Sequence, residues 1–203
     1  MKLILVRHGE TMWNRENRIL GHTDIDLNEK GRKQAELLGV ALKDEEVTAI
    51  YSSPLKRASE TAGEIARYHH LDVLPDDSFM EIDAGELDGL TFEEVVKRYG
   101  EFLKGWANKE SSLKIPGGES MAELEMRAWS AVKKLVEIHA DDTAIVVSHS
   151  LAIQSIICRA LEMGLSDTRR LRLDLASISI LNFGKGGVSL LLYNDTCHLG
   201  NGV

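Results

Sequence analysis

The stretch Met1-Lys2-Leu3-Ile4-Leu5-Val6-Arg7-His8-Gly9-Glu10-Thr11 decides how the rest of the chain is read. Leu3 to Val6 is a short apolar, partly β-branched run, the pattern of a strand buried on both faces. It ends in Arg7-His8, and Gly9 follows at once. Sheets of α/β proteins place their chemistry at the carboxyl ends of such strands. Gly9 lets the backbone turn sharply there without a Cβ in the way. In isolation the same residues describe a strand end with a surface Arg and His, so the remainder of the chain has to decide.

Two further strand candidates end alike. Residues 47–52 (Val-Thr-Ala-Ile-Tyr-Ser) run into Ser53-Pro54-Leu55-Lys56-Arg57, and Thr143 to Val147 runs into Ser148-His149-Ser150. If these strands are parallel, all three ends open on one rim. Helical patterns alternate with them. Asn28 caps an amphipathic stretch to Lys43, with Ala35, Leu38 and Leu42 on one face. Ser53-Pro54 has the order of a helix start, predicting a helix from Pro54 to Tyr68.

Val73-Leu74 reads as a short strand, 76–90 as an acidic loop and Thr91 to Tyr99 as a helix. Residues 100–119 read as irregular, ending in Pro116-Gly117-Gly118. Ser120 to His139 reads as a long helix with the stripe Leu124, Ala128, Ala131, Leu135 and Ile138, and Leu151 to Leu161 as another helix. Both Thr91/Glu94 and Ser120/Glu123 have capping-box spacing. Ile178 to Phe183 and Val188 to Tyr193 flank Gly184-Lys185-Gly186-Gly187, a hairpin signal. The expected fold is a three-layer α/β/α domain spanning 1–203, with helices on both faces of a mixed, mostly parallel sheet.

A net charge of −8 argues against nucleic acid or an anionic membrane as partner. No apolar run is long enough to span a bilayer, and the N-terminus reads as a strand rather than a signal peptide. Cys158 and Cys197 lack metal-ligand spacing, and Cys158 reads as a small buried hydrophobe. A reducing, cytoplasmic setting is expected. A homodimer is left open.

The three strand ends would bring two guanidiniums (Arg7, Arg57) and two imidazoles (His8, His149) together. Such a set is a receptor for a doubly charged phosphate. Neutral imidazole is also a nucleophile, and a His attacking phosphorus gives a phosphohistidine. The leaving alkoxide then needs a proton. Glu81 is the first candidate donor and Asp83 the second; the plain alternative for either is a solvated loop charge among 32 Asp and Glu. No metal-ligand motif accompanies these residues. His69, His70 and His139 suit helix ends, and His22 and His198 receive no role.

Taken together these residues resemble the histidine phosphatase superfamily, the phosphoglycerate-mutase-like group. The resemblance runs through Leu5-Val6-Arg7-His8-Gly9-Glu10-Thr11 with Trp13-Asn14, Asp26-Leu27-Asn28-Glu29-Lys30-Gly31, Ser52-Ser53-Pro54-Leu55-Lys56-Arg57-Ala58, Glu81-Ile82 with Gly85 and Gly89, Pro116-Gly117-Gly118-Glu119-Ser120 and Val147-Ser148-His149. It implies His8 as the phosphorylated nucleophile, and Arg7, Arg57 and His149 as the rest of the phosphate pocket. It implies Glu81 as the general acid, and Asn14, Thr23 and Ser150 as substrate contacts. No metal or other cofactor is implied, and the partner is a small phosphorylated substrate.

The short region from Glu81 to Ser120 resembles the phosphatase branch; a mutase is the alternative, and a non-catalytic phosphate-binding module a third reading. The overall pattern, including Asn194-Asp195-Thr196-Cys197-His198-Leu199, is similar to α-ribazole phosphatases of cobalamin synthesis and to metal-independent phosphoserine phosphatases. Ala84 stands where the phosphoserine type carries a His, and Leu87 where an aromatic is common. The first lowers phosphoserine and the second speaks against stacking with a base or ring; α-ribazole 5'-phosphate is the leading candidate substrate, with phosphoserine as an alternative.

Overall fold

The computed structural model describes residues 1–107 and 111–200. Strand β1 (Lys2–Arg7) is followed by a single helical turn α1 (Met12–Arg15), helix α2 (Glu29–Leu42), strand β2 (Ala49–Ser52), helix α3 (Lys56–His69) and strand β3 (Val73–Pro75). Helices α4 (Phe92–Ala107) and α5 (Met121–Ile138) come next. Strand β4 (Thr143–Ser148), helix α6 (Ser150–Ala160) and the hairpin β5 (Ile178–Gly184) and β6 (Gly187–Asp195) complete the order.

The strands form one six-stranded sheet in the order β3-β2-β4-β1-β5-β6. The first four in that order are parallel, and β5 and β6 are antiparallel. The register sets Arg7 beside Ser148, and Val147 beside Ser52. Three carboxyl strand ends therefore share one rim, as expected.

Strand alternation sorts the core into two layers. Leu3, Leu5, Ala144 and Val146 face Ala128, Val132 and Leu135 of α5 and Ile153, Ile156 and Ile157 of α6. Ile4, Val6, Ile50, Ile145 and Val147 face Leu38 and Leu42 of α2 and Ala58, Ala62 and Ile65 of α3. The fold is thus the expected three-layer α/β/α arrangement. A third cluster of Ile82, Leu87, Val95, Ile115, Met121, Leu124 and Ala152 caps the rim.

Three elements depart from the expectation. Helix α3 begins at Lys56 rather than Pro54, because its cap is supplied from elsewhere: the Lys56 amide donates to Asp24 Oδ1 at 2.7 Å. Helix α4 runs on from the expected Tyr99 to Ala107, with Tyr99 itself out of helical geometry (φ −126°, ψ 31°). It resumes because Phe102, Leu103 and Trp106 recur at helical spacing and have the third cluster to pack against. Residues 108–110 of the stretch expected to be irregular lie outside the described residues. Ile138, placed in the core stripe of α5, is 66% exposed at the helix end, whereas the other four stripe residues are buried. Both capping boxes form, with Glu94 and Glu123 returning to the amides of Thr91 and Ser120.

Candidate active site

Arg7 is the last residue of β1, and His8 continues the ladder by donating its amide to Ser148 O at 3.0 Å. Residue 9 has to be glycine because α2 approaches so closely that an added Cβ would strike the Gly31 carbonyl; its φ lies outside the left-handed region, so no special turn is involved. His8 is buried, and its Nδ1 lies 2.7 Å from the Gly9 carbonyl oxygen. A carbonyl only accepts, so Nδ1 carries the proton and Nε2 keeps its lone pair. Burial first, and then the nearby Arg57 and Arg7 charges, hold the His8 imidazole well below the ordinary histidine range. Neutral and deprotonated at Nε2, it is in the form a nucleophile requires.

Arg7 donates to the Leu173 carbonyl. Its Nε is buried and has no hydrogen-bond partner among the described residues. An unpaired buried donor is costly. Arg7 lines a cavity of about 210 Å³ together with His8, Asn14, Arg18, Glu81 and Ser150, with Ile19, Leu20, Ile82 and Leu151 as its aliphatic wall. The amino end of α6 also opens there, adding a positive helix terminus.

Arg57 and His149 sit behind this floor rather than in it. Arg57 is fully buried and donates from Nε to His149 Nδ1 at 3.2 Å, from Nη1 to Thr23 O at 3.0 Å and from Nη2 to Gly21 O at 2.6 Å. Desolvation outweighs the pull of Glu81, Asp88 and Asp24 and brings it down to about 10, so it remains a cation at neutral pH. Since Arg57 can only donate, His149 Nδ1 accepts and its Nε2 carries the proton, donating to Ser53 Oγ at 2.8 Å. Burial, followed by Arg57, holds His149 neutral as well. The two imidazole rings lie 5.1 Å apart.

Glu81 is buried, and its carboxylate accepts from the amides of Ile82 (2.9 Å), Leu151 (3.1 Å) and Ala152 (3.3 Å). The amino end of α6 thus fixes it at the cavity wall. Asp83, the second acid candidate, instead braces its own loop by accepting from the Gly85 amide. Thr23, expected as a substrate contact, does not line the cavity: its amide and hydroxyl both donate to Asp88 Oδ2, and its carbonyl holds Arg57. Ala84 is fully buried beside Gly21 and is not among the residues that line the cavity.

Two groups escaped the sequence reading. Arg127 donates to the carbonyls of Ser78, Met80 and Glu81 and pairs with Glu119 at 2.6 Å, fastening the loop that carries Glu81. Its only signal is an arginine lying between core positions Leu124 and Ala128 of α5. Asn194 holds Asp174 from two sides, accepting from its amide at 2.7 Å and donating to its Oδ2 at 2.9 Å. The loop so held supplies the Leu173 carbonyl to Arg7, and the Ala176 amide to the His8 carbonyl. Asn194 was noticed as part of a C-terminal pattern, but nothing in that pattern pointed to Asp174.

A buried neutral imidazole beside an unpaired guanidinium donor, both at the mouth of a helix terminus, defines a protein that takes hold of a phosphate group. The family model described as "Histidine phosphatase superfamily (branch 1)" matches residues 3–196, and the chain belongs to that superfamily. It is 39% identical over 200 residues to Phosphoserine phosphatase 1 of Hydrogenobacter thermophilus, covering 98% of this chain and 95% of that protein. The crystal structure of a phosphoserine phosphatase mutant from Entamoeba histolytica, in complex with phosphoserine, superposes with a TM-score of 0.89 at 33% identity, covering 98% of each chain. The α-ribazole phosphatase of Shigella flexneri superposes with a TM-score of 0.87 at 25% identity, covering 96% of each chain. The chain is a phosphoric monoester hydrolase.

Proposed function

We propose that the chain hydrolyses a small phosphorylated metabolite through a phosphohistidine on His8, with no metal ion. The observation that carries this reading is the Arg7 Nε donor, buried and unpaired beside an imidazole whose tautomer leaves Nε2 free to attack. The substrate dianion sits over Arg7 and the amino end of α6. His8 Nε2 attacks phosphorus as the ester P–O bond breaks, and the Glu81 carboxyl gives its proton to the departing alkoxide. In the second half the Glu81 carboxylate takes a proton from water, which attacks phosphorus as the P–N bond breaks and returns the electron pair to His8. Arg7, and Arg57 through the buried layer behind it, offset charge on the transferring oxygens. These fixed cations supply what a metal would otherwise supply.

The relatives offer several substrates, glucosyl-3-phosphoglycerate and phosphoglycerates among them. Phosphoserine comes from the more similar of them, and α-ribazole 5'-phosphate, the leading candidate from the sequence, from a more distant one. A cytoplasmic setting is compatible with both. No helix among the described residues is long and apolar enough to cross a membrane. Phosphate release from p-nitrophenyl phosphate in EDTA tests the reading, followed by a panel of cobalamin precursors, phosphoserine and phosphoglycerates. Full activity in EDTA, lost in a folded His8→Ala variant, supports it. Turnover that needs added metal, or that survives His8→Ala, refutes it.

A further inference from the structure

Glu81 belongs to no helix or strand, because residues 81–84 are irregular. No ladder fixes its backbone, and side chains from elsewhere do so instead. The Glu81 carbonyl accepts two hydrogen bonds, from His22 Nε2 at 2.9 Å and from Arg127 Nη2 at 2.7 Å. A carbonyl only accepts, so His22 Nε2 carries a proton. Arg127 also donates to Met80 O at 2.9 Å, and its partner Glu119 accepts from the Asp83 amide at 3.0 Å, so α5 holds the segment on both sides of Glu81. His22 reaches the same carbonyl from a different loop. It lies between Gly21 and Thr23, whose carbonyls hold Arg57. That loop presses so close that a Cβ at residue 21 would stand 2.8 Å from Ile82 O. Neither His22 nor Arg127 lines the catalytic cavity.

We infer that His22 and Arg127 are positioning residues for the proton-transfer step, acting through the backbone of Glu81. The inference rests on the reading above, in which Glu81 passes its proton to the ester oxygen as the P–O bond breaks. The three amides on the carboxyl group do not hold it equally. Oε1 accepts two of them and Oε2 one, so Oε2 has the room to carry the proton. As that proton leaves and returns, the bonding at the carboxyl group changes with it. The carbonyl keeps the same two donors throughout, and its seat is therefore the fixed reference for the acid. Accuracy matters here, because a displacement of about 1 Å costs on the order of 10²-fold in rate. His22, to which the sequence gave no role, also ties the loop that holds Arg57 to the loop that carries the acid. The phosphate side and the leaving-group side of the reaction are thus set by one three-residue stretch.

The test compares phenyl phosphate with p-nitrophenyl phosphate, two aryl esters that differ by the nitro group. Phenolate is as basic as a tyrosinate and needs a proton to leave, whereas nitrophenolate does not. His22→Ala is expected to lower kcat/KM by about ten-fold for phenyl phosphate and by less than about three-fold for p-nitrophenyl phosphate. His22→Gln, whose side-chain amide nitrogen can reach the same carbonyl, should bring phenyl phosphate back to within about three-fold of wild type. Arg127→Met should lose about a hundred-fold on phenyl phosphate and less than about ten-fold on p-nitrophenyl phosphate. The His22 pair decides should Arg127→Met fail to fold. Equal losses on the two esters, no loss on either, or a His22→Gln variant as impaired as His22→Ala overturns the inference while leaving the phosphatase reading intact. Equal losses on both esters in Glu81→Gln overturn the acid role and the inference with it, and hydrolysis of neither ester by the wild type overturns the phosphatase reading as well.

Discussion

Replacing Glu81 by Gln separates its proton-donating role from its place in the fold. The Glu81 carboxylate accepts three amide hydrogen bonds, two at Oε1 (from Ile82 and Ala152) and one at Oε2 (from Leu151). A glutamine oxygen can keep the pair at Oε1, but its NH₂ then faces the Leu151 N–H, donor against donor. Leaving one buried amide unpaired costs about 1–3 kcal/mol. At this chain length that is a drop in Tm of roughly 2–4 °C per kcal/mol, readable by calorimetry. Catalysis should respond differently according to the leaving group. A positioned acid contributes roughly 10²- to 10⁴-fold when the departing oxygen needs a proton, and little when it does not. We therefore expect kcat/KM of Glu81→Gln for an alkyl phosphate to fall by that factor. For p-nitrophenyl phosphate it should stay within about ten-fold of wild type. Equal losses on both substrates, with Tm shifted as expected, would remove Glu81 from the acid role and leave it a structural brace of α6.

Other consequences follow from the same geometry. His8 and His149 are held neutral when folded but titrate normally, near 6.5, when unfolded. Their folded values are depressed, so stability is fully present above that pH and is lost as pH falls below it. Urea denaturation should lose up to about 1.4 kcal/mol per pH unit for each group, and His149→Gln should flatten the slope; a pH-independent midpoint between 6.5 and 5 would contradict the assignment. Asn194→Gly keeps the left-handed backbone (φ 52°) but removes both bonds to Asp174. We expect it to raise KM and the inhibition constant of vanadate by about ten-fold, through a loosened Arg7, for a stability loss near 2 kcal/mol; unchanged vanadate inhibition would limit Asn194 to a structural part. Gly31→Ala would drive a Cβ into the Glu10 carbonyl and should unfold the chain or displace His8, and a soluble, fully active variant would show that contact to be dispensable. Burial pushes the Cys158 thiol up to about 11, so a thiol reagent should label Cys197 alone in the native chain and both cysteines in urea; rapid native labelling of Cys158 would argue against its place in the core.

The layers were legible because they depend on local pattern. Leu3 to Val6 reads as doubly buried since every residue in it is apolar, and Thr91/Glu94 and Ser120/Glu123 announce helix starts by spacing alone. His8 and Arg7 were legible for a similar reason: a strand end is local, and a parallel sheet brings such ends together. What stayed hidden depends on contacts across the chain. Asp24 caps α3 from 32 residues away, Arg127 reaches carbonyls 46 to 50 residues distant, and Asn194 grips Asp174 across 20. The bonding of His149 and Arg57 to each other, rather than toward open space, is of this kind too. So is the burial of Ala84 beside Gly21. The run of helix α4 past Tyr99 depends likewise on the cluster against which Phe102 and Trp106 pack.

The most direct test of the central claim is covalent. Brief mixing of the chain with a ³²P-labelled aryl phosphate, followed by rapid quench, should trap label on the protein that survives alkali, is released by acid and maps to the peptide holding His8. His8→Ala should carry none. Turnover without trapped label under conditions where hydrolysis of the intermediate is slow, or label of acid-stable character on another residue, would contradict nucleophilic attack by His8.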